Sequence, residues 1–470
     1  MITDFLYEAD GPIALAVARA CDRNVPVLAT LSAPIPPPED LLGLIQHTAI
    51  SETRRFFWER PAEGFVIAGL GAVASFSAQG DGRFNEIAQG CDRVLASAVT
   101  DGRSQSIGAP FFVGGFAFSA DAGEAEPWRG FPCALMVLPR LLIIRHDQEA
   151  TLTINRLVPP GASCAEIVEQ LRFDLQQLQQ ALACPRVEPP GDGLSIRYET
   201  SSTPPVPQWK RAVAATVEDI TQRRLEKLVL ARSCTVEANR RLDCSRILRH
   251  LRAAYPCCVL FWMATPHGDF LGATPEPLVR LRGQHVTTAA IAGSTAPGLS
   301  QADACALAQA LKRSDKDRLE HAIVVQAIAE TLTPLCDGLA VAPEPQLLRL
   351  DNVQHLMTPI AGRLRNPHHI LDLVARLHPS PAVAGHPREV ALRLLPEREA
   401  LDRGWYAGPI GWMDARHEGE FAVAIRSALV RGAKALLYAG AGIVAGSDPE
   451  AELMETRLKL QPLLSALLEP

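Results

Sequence analysis

From Cys164 to Ala183 the apolar residues Ile167, Leu171, Leu175, Leu178 and Leu182 recur every three to four positions, the period of an amphipathic helix. After residue 206 the pattern changes to an alternation of apolar runs and helical stripes. Compact apolar or alternating runs predict strands at 227–236, 258–264, 270–273, 278–283, 285–292, 404–413, 420–430 and 434–443. Helical spacing predicts helices at 207–224, 245–254, 300–311, 315–332, 370–377, 387–395 and 448–468. Connections as short as Gly283-Gln284 favour antiparallel pairing. Upstream, 111–118 and 133–146 also read as strands, the first broken by Gly114-Gly115. Ser314 with Asp317, and Ser447 with Glu450, have the spacing of capping boxes. Residues 185–207, rich in Pro, Gly, Ser and Thr, read as a connector around a short strand at 194–198. No repeat of fixed period is present. The pattern as a whole predicts a mixed α and β protein, dominated by antiparallel sheet with helices outside.

Composition narrows the class. The chain has 470 residues, 47% apolar and 21% charged, which is enough for a large core in a soluble globular protein. A net charge of -6 without a long basic run argues against nucleic acid as a partner. No window approaches 18 uninterrupted apolar residues, so no membrane span is predicted. The start, MITDFLYEAD, has early acids instead of a basic-then-apolar pattern, so no secretory leader is expected and a cytoplasmic location is. The eleven cysteines form no C-x-x-C, and Cys257-Cys258 in an apolar run read as small buried hydrophobes in a reducing compartment. Zinc is disfavoured by the lack of ligand spacing, and His368-His369 read as turn residues.

Several positions carry candidate chemistry. LHPSPAVAGHP (377–387) is too rich in proline for helix or central strand, and is either a rigid pocket wall or a surface connector. Lys227 is a charge in a strand-like apolar run: facing inward it is a candidate general base, facing outward an ordinary surface lysine. Glu276, between Pro275 and Pro277, is either a rigidly held proton donor or a turn residue in solvent. Glu452, Glu455 and Lys459 share one helix face, and Glu320 opens another helix; they are solvated ion pairs, or carboxylates for Mg2+ if the fold unites them. Glycine-rich AIAGS (290–294) and YAGAGIVAGSDP (438–449) expose backbone N–H groups suited to anionic oxygens, but match neither nucleotide fingerprint. Arg426, a lone cation in an apolar run, needs an anion from either the protein or a substrate.

KLVLAR, FLGATPEPLV, IAGS, SDKDRLEH, LHPSPAVAGHP, RGWYAGPIGW, EFAVAIRSAL, YAGAGIV and EAELMET-x-x-K occur in the order found in chorismate-utilising enzymes, densely from about Trp209 to Leu464. The chain resembles that family, and within it the isochorismate synthases. The resemblance implies an α+β fold of one large domain, two antiparallel sheets packed together with helices outside. Residues 206–466 would form the chorismate-binding catalytic region, and 1–205 would complete the sheet scaffold. It implies Lys227 as the base that activates water, Glu276 as the acid that protonates the leaving hydroxyl, and Glu320 and Glu455 as Mg2+ ligands with Glu452 behind them. Gly293, Ser294 and Ala382 would contact substrate, and Arg426, Lys459 and the backbone at Gly440 and Gly442 would hold its carboxylates. Related anthranilate synthases carry Gln where Lys227 stands. Salicylate synthases, which go on to eliminate pyruvate, usually carry Thr at the position of Ala382, so the resemblance favours an enzyme that stops at isochorismate. Ser294-Thr295-Ala296-Pro297 departs from relatives in lacking basic residues after the glycine. The partners implied are chorismate and a downstream isochorismate-using enzyme in menaquinone, salicylate or siderophore synthesis; the sequence specifies no oligomeric state.

Overall fold

In a computed structural model, the structure describes residues 2–47, 54–101, 109–122, 126–183 and 197–468. Among the described residues the strands form two sheets, one of thirteen strands and one of ten. Pairing is antiparallel throughout except where Val27–Ile35 runs parallel to Val99–Thr100. Strands from before residue 205 lie in both sheets. Arg55–Arg60 pairs with Val259–Thr265 in the larger, and Phe111–Phe116 pairs with Pro409–Asp414 in the smaller.

Two cores follow from this layering. Between the sheets lie Phe116, Trp405, Trp412, Phe421 and Leu230. The outer face of the larger sheet is covered by Cys164–Ala183, Cys244–Ala254 and Pro449–Leu468, through Leu171, Leu175, Leu248, Leu251, Leu460 and Leu463. The stripe predicted at 164–183 is thus the buried face of its helix, apart from Leu182 at its end, which is 39% exposed. A fully buried leucine is worth about 2 kcal/mol by transfer, so each helix is held by its stripe more than by propensity.

Most predicted elements fall within a few residues of their expected places, and Asp315–Leu332, Ile370–Leu377 and Lys434–Ile443 coincide with them. The differences are instructive. The run 420–430 is two strands: Gly419–Val423 belongs to the smaller sheet and Ser427–Arg431 to the larger, and the chain crosses between sheets at residues 424–426. Both halves are buried on both faces, so the apolar run gives no sign of the break. Arg426 therefore does not lie within a strand; it occupies the crossing, in the left-handed region at φ 51°. The run 404–413 becomes a strand only at Pro409. Gly114-Gly115 do not interrupt Phe111–Phe116, because a side chain at Gly114 would collide with the Leu135 carbonyl of the neighbouring strand. Ser314 caps its helix as expected, accepting from the Asp317 N–H. Ser447 does not: Asp448 accepts the N–H groups of Glu450 and Ala451, and the Ser447 hydroxyl accepts the Val444 N–H. Cys258 is buried, but Cys257 is exposed in the turn before its strand. Residues 194–196 of the predicted short strand lie outside the described residues, and the strand found there is Tyr198–Thr203.

Candidate active site

Two crossings between the sheets run side by side and make the site. Gly268–Thr274 lies in the larger sheet and Pro277–Arg282 in the smaller, so Pro275 and Glu276 form one crossing and residues 424–426 the other. They are tied together: the Val423 N–H donates to the Glu276 carbonyl at 3.0 Å, and the Ala273 N–H to the Arg426 carbonyl at 3.2 Å. Thr274 adds a third tie, donating from its hydroxyl to the Val423 carbonyl at 2.7 Å. A carboxylate and a guanidinium are thereby fixed by backbone on the same side of the gap between sheets.

The cleft there encloses about 670 Å³, its open mouth included. Of the residues predicted from sequence, Glu276, Gly293, Ser294, Glu320, Ala382, Arg426, Gly440, Gly442 and Lys459 line it. Lys227 is not part of the lining but lies just behind Gly442: a Cβ on that glycine would lie 3.1 Å from Lys227 Cε and 2.1 Å from Glu320 Oε1. Only glycine leaves room there for the lysine and glutamate to meet. Lys227 has no exposed side-chain surface, and its Nζ lies 3.0 Å from Glu320 Oε1. The approach is off the hydrogen-bonding direction, so the pair is held by charge and the ammonium lacks a hydrogen-bond acceptor among the described residues. The outward-facing alternative for Lys227 is therefore removed.

The proline-rich segment is a wall of the site. Ala384 accepts the Val229 N–H at 2.8 Å and His386 the Glu226 N–H at 2.9 Å, so the loop is laced to the strand that carries Lys227. Gly385 makes the approach possible at φ 146°, since a Cβ there would lie 2.3 Å from the Lys227 carbonyl oxygen. Ala382 and Val383 then face the cleft.

Electrostatics separates the carboxylates. Burial pushes Glu276 up from 4.5 to about 7, against the opposing pull of Lys227, Lys459 and Arg426. It is thus a carboxyl that holds its proton near neutrality. Burial also raises Glu452, with repulsion from Glu455 adding to it and Lys316 opposing it. Glu455 is pushed up by burial as well, but Lys459, Lys316 and Arg426 hold it below the ordinary value. Lys459 donates to Glu455 at 2.6 Å and to the Gly440 carbonyl at 2.9 Å. Glu455 and Glu452 are not part of the cleft lining; they precede the lining residue Lys459 by about one and two helical turns. Glu320, Glu452 and Glu455 are therefore placed at one end of the cleft by the helices Asp315–Leu332 and Pro449–Leu468.

His355, outside every quoted motif, and Tyr406, inside RGWYAGPIGW but given no role there, also line the cleft. Arg426 Nη2 lies 3.2 Å from His355 Nε2, and His355 Nδ1 lies 3.0 Å from Ser294 Oγ. A guanidinium can only donate, so Nε2 must present its lone pair and Nδ1–H donates to Ser294. Burial, with Arg426 and Lys459 adding to it, lowers His355 well below its ordinary value and keeps the ring in that neutral form. The strand Val353–Leu364 also carries Gln354, Thr358 and Arg363, so no local sequence signal singles out His355.

A second group gathers elsewhere. His369, His417 and Asp92 place their ligand atoms within 4.8 Å of one another, although sequence spacing gives no hint of it. His369 Nδ1 accepts the Leu371 N–H at 3.0 Å and so caps a helix; its proton is then on Nε2, which leaves that nitrogen no lone pair for a metal.

Comparison with known proteins places this geometry. Residues 15–468 match the family described as chorismate binding enzyme. The chain is 35% identical over 466 residues to the salicylate biosynthesis isochorismate synthase of Pseudomonas aeruginosa, covering 99% of this chain and 95% of that protein. It is 32% identical to the isochorismate synthase MenF of Bacillus subtilis, with 96% of each chain covered. The solved menaquinone-specific isochorismate synthase of Escherichia coli superposes with a TM-score of 0.77 at 26% identity, over 97% of this chain and all of that one. Anthranilate synthase component I of Streptococcus pneumoniae, at 21% identity and a TM-score of 0.66, shares the fold. The chain belongs to the chorismate-binding enzymes. The two relatives named above that match it over nearly their whole length are isochorismate synthases.

Proposed function

We propose that this chain is a cytoplasmic, Mg2+-dependent isochorismate synthase. The observation that carries the reading is the pairing, at one cleft between the sheets, of a fully buried lysine with a carboxyl that stays protonated to about pH 7. Chorismate is a dianion, and the cleft offers Arg426, Lys459 and the backbone at Gly440 and Gly442 for its two carboxylates. Water adds at ring C2, the double bonds shift, and the C4 hydroxyl leaves. Lys227 takes the proton from the water, and Glu276 delivers one to the departing hydroxyl, so a single water is consumed and a single water released. His355 holds Arg426 and Ser294 in place, and the laced loop at Ala382 closes the wall against the ring.

The residues at the cleft end suit a hard divalent cation. Glu320, Glu455 and Glu452 supply oxygen donors, and Glu452 Oε2 is buried without a well-formed hydrogen bond. When bound, Mg2+ supplies charge neutralisation and orientation for the ring carboxylate. Glu320 and Glu455 would hold it, with Glu452 behind them.

The test is product analysis with purified protein, chorismate and MgCl2. Isochorismate as the sole product supports the reading. Salicylate with pyruvate would make the chain a salicylate synthase instead, and no turnover would reject an enzyme of this reaction.

A further inference from the structure

Each of the three carboxylates at the cleft end lies against a lysine of the same chain. Glu320 faces Lys227 at 3.0 Å, Glu455 faces Lys459 at 2.6 Å, and Glu452 faces Lys316 at 2.5 Å. Asp317, repelled by Glu320 and Glu455 and attracted by Lys316, adds a fourth carboxyl to the group, so without a metal three internal lysines face four carboxyl groups. Three uncompensated carboxylates packed this closely would repel one another strongly.

The three lysines are not equivalent. Lys227 is wholly enclosed and has nowhere to move. Lys459 is anchored a second time, on the Gly440 carbonyl. Lys316 is 31% exposed at its side chain and touches a single acceptor. It stands in the first turn of the helix Asp315–Leu332, four residues before Glu320, and so on the same helix face one turn nearer solvent. Its partner Glu452 is 1% exposed, and the second oxygen of that carboxylate is buried without a well-formed hydrogen bond, with the Ser447 hydroxyl beside it. A buried carboxylate with one oxygen on a movable ammonium and one oxygen poorly satisfied is a half-filled cation site.

We propose that Lys316 is the built-in counter-ion of this carboxylate group and is exchanged for the divalent cation, its ammonium swinging out to solvent as the ion binds. The inference rests on the assignment of Glu320, Glu452 and Glu455 to that ion. A long, flexible lysine at the rim can leave at small cost in packing, whereas its charge, if it stayed, would repel the incoming ion. Lys316 thus lets the metal-free fold tolerate its acidic cluster and weakens divalent binding so that the ion can come and go.

The experiment is calorimetric titration of the intact protein with MgCl2, without chorismate, for wild type, Lys316→Met and Lys316→Arg. Thermal denaturation with and without Mg2+ provides the second readout. Lys316→Met is expected to bind Mg2+ roughly tenfold more tightly. It should also melt lower than wild type without metal and gain more from saturating Mg2+. Lys316→Arg, which keeps the charge, should stay near wild-type affinity. Lys316→Gln gives the same readout through a polar side chain if the methionine variant folds poorly. Equal or weaker Mg2+ binding in the uncharged variants would overturn the exchange and leave Lys316 as a mere prop for Glu452. If wild type itself bound no Mg2+, the cation site would fall, and the exchange with it.

Discussion

Glu276→Gln changes one atom in the cleft and should move two measurements in opposite directions. The wild-type carboxyl titrates near pH 7 in the folded protein and near 4.5 when unfolded, because burial disfavours the carboxylate. A folded-state value raised above the unfolded one means that the native state binds more protons between those pH values. The associated stability is present below pH 4.5 and is lost as pH rises through 7. Ionising the buried group at pH 8 and above costs about 3 kcal/mol of stability, from the difference between the two values. Glutamine cannot ionise, so the variant should escape that loss: it should lie within about 1 kcal/mol of wild type near pH 5 and be the more stable protein at pH 8 to 9 by up to the full amount. Its catalysis should go the other way. Without a proton to give the C4 hydroxyl, turnover should fall by roughly 100- to 10,000-fold, the usual share of general acid catalysis. The wild-type rate should decline as pH rises through about 7. Urea denaturation across pH 5–9 and chorismate turnover over the same range read both effects. A variant with wild-type turnover, or a wild-type rate that holds flat from pH 6 to 8, would refute the assignment of Glu276 as the acid. A stability difference that did not grow with pH would refute the argument from burial.

Other expectations can be checked beside it. Lys227→Gln should abolish isochorismate formation by roughly 100-fold or more while the circular dichroism spectrum stays native, and a near-normal kcat would remove Lys227 from the role of base. Glu320→Ala and Glu455→Ala should each shift the Mg2+ dependence of the rate to much higher concentrations, and EDTA should silence the wild type until Mg2+ is returned; an unchanged Mg2+ titration in both variants would reject them as ligands. Gly442→Ala should cut activity by roughly 100-fold or more with only a modest fall in Tm, since its methyl group would occupy the place of Glu320 Oε1 and separate Glu320 from Lys227. Retained activity there would show that the pair can be rearranged without harm.

Much of the candidate site was written in local signals. Pro275 and Pro277 mark Glu276 as rigid, the prolines of 377–387 mark a shaped loop, and i, i+3, i+7 spacing puts Glu452, Glu455 and Lys459 on one helix face. These are consequences of backbone restriction and helical period, which operate within a few residues. The resemblance to chorismate-utilising enzymes then assigned roles that such signals leave undecided. What stayed hidden depends on neighbours distant in the chain. The break at 424–426 is invisible because a strand buried in either sheet is equally apolar. His355 and Tyr406 came into view only when the strand Val353–Leu364 and the turn before Pro409 met across the cleft.

The sequence by itself determined the elements, the rigid loop and the inventory of lysines and carboxylates, because periodicity, proline and glycine act locally. Tertiary structure decided which way Lys227 points, since strand alternation permits either face and only the packing of Gly442 and Glu320 against it selects one. It also decided that Glu276 keeps its proton where Glu455 is held as a paired anion. A carboxyl group's charge state follows from the solvent it loses and the cations it meets, and both are properties of the folded cleft.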